Sequence, residues 1–105
     1  MIVSVVRFKL SEPLTREEAR DRFLENSPRY LKTPGLYRKQ FLLSEDGSHV
    51  GGVYLWASKE DGEACFTGEW RNRLVAKHGT EPVIEWFDCS VMVDNRYNDR
   101  VSDAS

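Results

Sequence analysis

Apolar and polar residues alternate over residues 2 to 10, IVSVVRFKL, so a strand there carries Ile2, Val6, Phe8 and Leu10 on one face and Val3, Val5, Arg7 and Lys9 on the other. The period then changes. Thr15 and Glu18 form a reciprocal capping pattern, and Ala19, Phe23, Leu24, Tyr30 and Leu31 continue at helical spacing. Pro28 interrupts that stripe, with Asn26 or Ser27 able to cap a restart, which predicts a kink or two short helices ended by Pro34-Gly35. LYRKQFLLS, residues 36 to 44, reads as a second strand, EDGS as a turn, and HVGGVYLW, residues 49 to 56, as a third strand reaching about residue 57. The paired glycines of that third strand predict a bulge or close packing against the helices.

Ser58 and Asp61 open a second helical stretch in which Phe66, Trp70 and Leu74 recur every fourth residue, made imperfect by Gly62 and Gly68 and stopped by Gly79. Pro82 leads into a last strand, VIEWFDCSVMV, residues 83 to 93, followed by a polar tail expected to fray unless a partner chain holds it. The order βαββαβ predicts an α+β, ferredoxin-like fold: a four-stranded antiparallel sheet with both helices on one face. Residues 1–95 form the expected domain and 96–105 the tail.

Two helices cover one face of such a sheet, yet the first and last strands are apolar on both. At roughly 25 cal/mol per Å², a wet face of that kind forfeits several kcal/mol, which predicts a homodimer with the open sheet faces packed together. Taking the more polar parity of each strand, the space between sheet and partner is lined by Arg7, Arg38, Gln40, Tyr54, Trp56, Trp86 and Asp88. Aromatic walls with a few converging polar groups describe a small-molecule pocket; the alternative is a wet interface with ordinary ion pairs.

Composition narrows the classes. The chain has 105 residues, 40% hydrophobic and 30% charged, at net charge -2 with both signs dispersed, which fits one globular domain and gives no nucleic-acid footprint. No apolar run is long enough to span a bilayer, and the N-terminus lacks a signal-peptide pattern, so a cytoplasmic protein without membrane association is expected. Cys65 and Cys89 stand far apart without His partners at ligand spacing and read as small buried hydrophobes. His78 and Glu81 are separated by a helix stop, and no metal site is expected.

The PGL before a strand, the turn, GGVYLW, a capped helix and WRNRLVAKHG resemble the YdhR-like monooxygenase family of the dimeric α+β barrel superfamily, over about residues 2 to 93. The resemblance implies a barrel-like dimer with a cavity in each subunit, between sheet and helices or against the partner. It also implies a monooxygenase that needs neither metal nor flavin, acting on a small aromatic or polyketide-like substrate deprotonated to an anion. On that reading Arg7 and Arg38 hold the anion with Gln40 beside them, Tyr54, Trp56 and Trp86 sandwich the ring, and His78 or Asp88 is the base. Two other readings stand beside it. One is a non-catalytic dimeric module for a small hydrophobic ligand. The other is a haem-binding or haem-degrading protein, for which Trp70 and His78 are present but Arg7 stands where that branch has Asn.

Overall fold

The computed structural model describes residues 1–96 and 100–103. Its elements are β1 (Ile2–Lys9), α1 (Arg16–Asn26), a 3-10 turn (Ser27–Tyr30), β2 (Leu36–Leu43), β3 (His49–Trp56), α2 (Lys59–Cys65), α3 (Gly68–His78), β4 (Val83–Asp88), β5 (Val91–Asp94) and β6 (Arg100–Asp103). The four long strands form an antiparallel sheet ordered β2-β3-β1-β4, the expected ferredoxin-like arrangement.

Local chemistry sets the boundaries. The Thr15 hydroxyl accepts from the Glu18 amide while the Glu18 carboxylate accepts from the Thr15 amide, closing the capping box of α1. Pro28 then converts the chain to the 3-10 turn, as its missing N–H requires. The second helical stretch differs from the expected single helix: it breaks at Phe66, and Thr67 caps α3 afresh by accepting from the Trp70 amide. Gly79 ends α3 in the left-handed conformation, φ 79°.

The last strand is also shorter than expected. The β1–β4 ladder ends at the Ile2–Asp88 pair, beyond which the Cys89 amide donates to the Met1 carbonyl. Beyond that point Val91–Asp94 pairs with Arg100–Asp103 as a separate hairpin. Part of the polar tail is therefore strand; residues 97–99 and 104–105 lie outside the described residues.

The register of β1 on β3 pairs Ser4 with Tyr54, Val6 with Gly52 and Phe8 with Val50, and these side chains face the helices. Val6 and Trp56 are fully buried, and Phe66, Leu74 and Ile84 pack on the same cluster with buried Trp70. Ser4 is the one buried polar residue among those described, and its hydroxyl accepts the Trp56 indole N–H at 2.9 Å. The glycine pair sits in an unbroken β1–β3 register, and the sheet's irregularity lies instead between Leu36 and Arg38 of β2. No bulge falls at the glycines. A Cβ on Gly51 would lie 1.8 Å from the Val6 carbonyl oxygen, so close approach by the neighbouring backbone is what requires glycine there.

Gly51→Ala therefore has to push β1 and β3 apart. Urea unfolding is expected to show a loss of about 2–4 kcal/mol, against a change within about 0.5 kcal/mol for Gly68→Ala, whose Cβ would enter open space.

Candidate functional site

Between the helix-covered face of the sheet and the two helical segments lies a cleft. Its floor comes from alternate residues of the strands: Phe8 of β1, Val50 and Tyr54 of β3, and Lys39 and Phe41 of β2. Its walls come from Leu14 and from Arg22, Phe23 and Asn26 of α1, from Tyr30 of the 3-10 turn, and from Arg73, Leu74, Lys77 and His78 of α3. The enclosed cavity is about 60 Å³, and the cleft reaches about 580 Å³ when the space out to its open mouth is included.

The aromatic floor is rigidly supported. Tyr54 stacks on Trp56 at 5.6 Å with ring planes 3° apart, and Phe66 meets Tyr54 edge-on at 5.0 Å. Phe23 stacks on Phe41 at 5.1 Å, and Tyr30 stands edge-on to Phe41 and Tyr54. The Tyr30 hydroxyl accepts the Trp70 indole N–H at 3.3 Å, which ties the turn to α3.

Lys39 lies inside this ring set. Its Nζ is 3.4 Å from the centre of Tyr30, 4.0 Å from Phe41 and 4.6 Å from Tyr54. Burial lowers its ammonium pKa to about 7; the Cys65 side chain opposes this and the Arg73 charge adds to it. The ring faces favour the ammonium, so both protonation forms lie within reach near neutrality. Burial likewise raises Tyr54 well above the usual phenol range and raises Cys65. At the other end of the cleft His78 packs on Phe8 with ring centres 5.3 Å apart. Its Nδ1 is buried without a hydrogen-bond partner, and burial, followed by Lys77 and Arg22, lowers its pKa. A neutral imidazole facing a cleft has one nitrogen free to accept a proton.

The structure divides the residues expected from sequence. Tyr54 and His78 meet in the cleft. Trp56 and Trp86 are on the same helix-covered face but belong to the core: Trp56 is fully buried, and the Trp86 ring lies against Gly62 and Phe66. This corrects the expectation that Tyr54, Trp56 and Trp86 line a space beneath the open face. The even-numbered residues of β3 share the parity of buried Val6, where large rings gain most from burial. Arg7, Arg38 and Gln40 do face the open side and are exposed, with Arg7 paired to Glu85 at 2.9 Å. Asp88 is exposed at the end of β4, opposite Ile2 and away from the cleft.

The cleft residues that sequence reading missed are Lys39, Arg73, Tyr30 and Phe41. One signal for Lys39 was available: in β2 it shares its parity with Phe41 and Leu43, an unusual place for a lysine. Arg73 and Tyr30 carried none, because neither the break after α2 nor the placement of the 3-10 turn follows from spacing.

No family model matches the chain, and no curated protein matches it in sequence. Solved structures do match in shape. A monooxygenase from the gene ActVA-Orf6 of Streptomyces coelicolor, in complex with nanaomycin D, superposes with a TM-score of 0.64 at 20% identity, covering 84% of this chain and 86% of that one. A Deinococcus radiodurans protein assigned to the antibiotic biosynthesis monooxygenases gives 0.65 at 10% identity over 90% and 97%. SnoaB, a cofactor-independent oxygenase from Streptomyces nogalater, in the form of a point variant, gives 0.59 at 15% identity over 84% and 91%. The likeness is one of fold. This chain has the ferredoxin-like α+β architecture of those monooxygenases.

Lys39 makes stability depend on pH. Unfolded, a lysine holds its proton to about 10.5; here it does so only to about 7, so between those values the unfolded chain binds more protons and stability rises with pH. Lys39→Met is expected to flatten that rise and to stabilise the protein by about 1–2 kcal/mol at pH 6, measured by urea unfolding across pH 6 to 10.

Proposed function

We propose that the protein is a cofactor-independent monooxygenase that oxidises a small aromatic or polyketide-like phenol bound in the cleft between sheet and helices. The observation that carries this reading is His78, which lines the aromatic cleft and whose Nδ1 is buried without a hydrogen-bond partner. Shared fold with monooxygenases, one of them a cofactor-independent oxygenase, supports the reaction class. The PGL and GGVYLW stretches support the narrower YdhR-like assignment.

The chemistry asks little beyond what the cleft holds. His78 takes the phenolic proton, and the resulting phenolate is electron-rich enough to reduce dioxygen directly. One oxygen atom enters the ring para to the hydroxyl and the other leaves as water, so phenol plus O₂ gives quinone plus H₂O with no outside reductant. Cations at the mouth stabilise the phenolate, and the apolar floor keeps bulk water from the reacting carbon. Asp88, distant from the cleft, has no part in this scheme.

The open sheet face is assigned to a homodimer. Val3, Val5, Val53 and Leu55 line it with Leu42, Val83 and Phe87, the last three being 39%, 53% and 50% exposed. Val91 and Val93 of the β5–β6 hairpin, about as exposed, extend the same apolar demand. No described helix is long and apolar enough to cross a membrane. A cytoplasmic location belongs to the same proposal.

Oxygen uptake with naphthols in metal-free, flavin-free buffer tests the reaction. His78→Gln should lower kcat by about 10²–10⁴-fold with little change in binding. Tight phenol binding without oxygen uptake would instead leave the cleft as a plain ligand site. Sedimentation tests the assembly: Val5→Glu with Phe87→Glu should weaken the dimer at least about tenfold, and an unaltered monomeric wild type would refute it.

A further inference from the structure

The cleft is lined by Arg22, Lys39, Arg73 and Lys77 and by no aspartate or glutamate, in a chain with 17 acidic and 15 basic residues. None of the four is within ion-pair distance of a carboxylate among the described residues. Ion pairs are few among the described residues, so what sets these four apart is their convergence on one cleft that holds no carboxylate. Four unpaired cations converging on an apolar cleft form an anion site. They are also unequal in position. Arg22 and Lys77 are exposed at the rim, whereas Lys39 and Arg73 are half-buried and approach the same ring set.

We propose that the substrate is an aromatic acid whose carboxylate is held between Lys39 and Arg73 while its ring lies over Tyr30, Phe41 and Tyr54 and its phenolic end points toward His78. This rests on the cleft being the substrate site of the oxygenase reading, and it adds the chemical class and the orientation. The cavity of about 60 Å³ is too small for a ring system while Lys39 sits over those rings. A carboxylate supplies a better partner than a ring face, drawing the ammonium off and leaving the rings to the substrate. The phenolic and carboxylate ends are then read by different groups, His78 at one end and the Lys39–Arg73 pair at the other.

Binding is linked to protonation. The groups facing Lys39 are Tyr30 from the turn, Tyr54 from β3, Cys65 from α2 and Arg73 from α3, with Arg22, Lys77 and His78 farther along the cleft. None is a carboxylate, and Cys65, the one group among them that favours the ammonium, is itself pushed up by burial, so the incoming carboxylate holds the proton on Lys39 and a proton is taken up above about pH 7. Affinity for the acid should be level below that pH and fall by up to about tenfold per unit above it.

Calorimetric titration of the full chain with a hydroxynaphthoate whose carbon para to the hydroxyl is free, and with its methyl ester, tests the inference. The acid should bind about ten- to a hundredfold more tightly at pH 7. Lys39→Met should bring acid and ester within about threefold and abolish proton uptake, Arg73→Gln should reduce the preference, and Lys39→Arg should retain it. Equal affinity of acid and ester, binding of neither, or a preference surviving both Lys39→Met and Arg73→Gln overturns the proposal. Oxygen uptake separates it from the reading beneath it. Turnover of the ester with no preference for the acid sinks the acid alone, and a Lys39-dependent preference without turnover sinks the oxygenase alone.

Discussion

The hydrogen bond from the Trp56 indole to the buried Ser4 hydroxyl fixes the register on which the rest of the structure depends. A hydroxyl and an indole N–H both removed from water satisfy one another, and slipping β1 on β3 by one residue would strand both. The same slip would turn Ser4, Val6 and Phe8 outward while Tyr54 and Trp56 stayed beneath the helices. With the register held, Trp56 becomes a fixed plate against which Tyr54 stacks, and the floor of the cleft inherits the rigidity of the core. A chain of direct contacts thus runs from a serine in the first strand to the ring set around Lys39.

That dependence explains what the sequence disclosed. The element order, the Thr15 capping box, the turn at Asp46-Gly47 and the stop at Gly79 each rest on a few neighbouring residues, and they appear where local chemistry puts them. The inner row of β1 was legible because its apolar residues are unambiguous. On β3 and β4 the outcome was decided by packing. Treating tyrosine and tryptophan as the polar parity put Tyr54, Trp56 and Trp86 on the open face, whereas their ring area drives them beneath the helices, where the Trp56 indole N–H finds the Ser4 hydroxyl. The continuation of the last strand to residue 93 failed for another long-range reason: beyond Asp88 the chain changes partner, and Val91–Asp94 pairs with Arg100–Asp103.

The site was less legible than the fold because it is assembled across six elements. Tyr54 and His78 were visible as chemistry, but nothing local joins them to Lys39, Arg73 and Tyr30. Arg7 and Arg38 were reasonable anion holders by type and belong to the opposite face by register. Their exposure, and the ion pair Arg7 makes with Glu85, gives them ordinary surface energetics, worth about 0–1 kcal/mol for the pair.

The separation of faces has a consequence for how this small chain manages both tasks. The apolar residues that need a partner, Phe87, Val83 and Leu42, lie on the outer row, and the charged and aromatic residues that need a ligand lie on the inner row. Only the strand backbone stands between them, and at Gly51 the β1 backbone leaves no room for a Cβ. In the proposed dimer, packing on the outer row would press on the same strands that carry Tyr54 and Lys39. Lys39 pairs with Tyr54, and His78 packs on Phe8 opposite Val50. The two ends therefore stand about four residues apart along β3, roughly 13 Å at a strand's rise of about 3.3 Å per residue, and the length of molecule the cleft accepts follows from it.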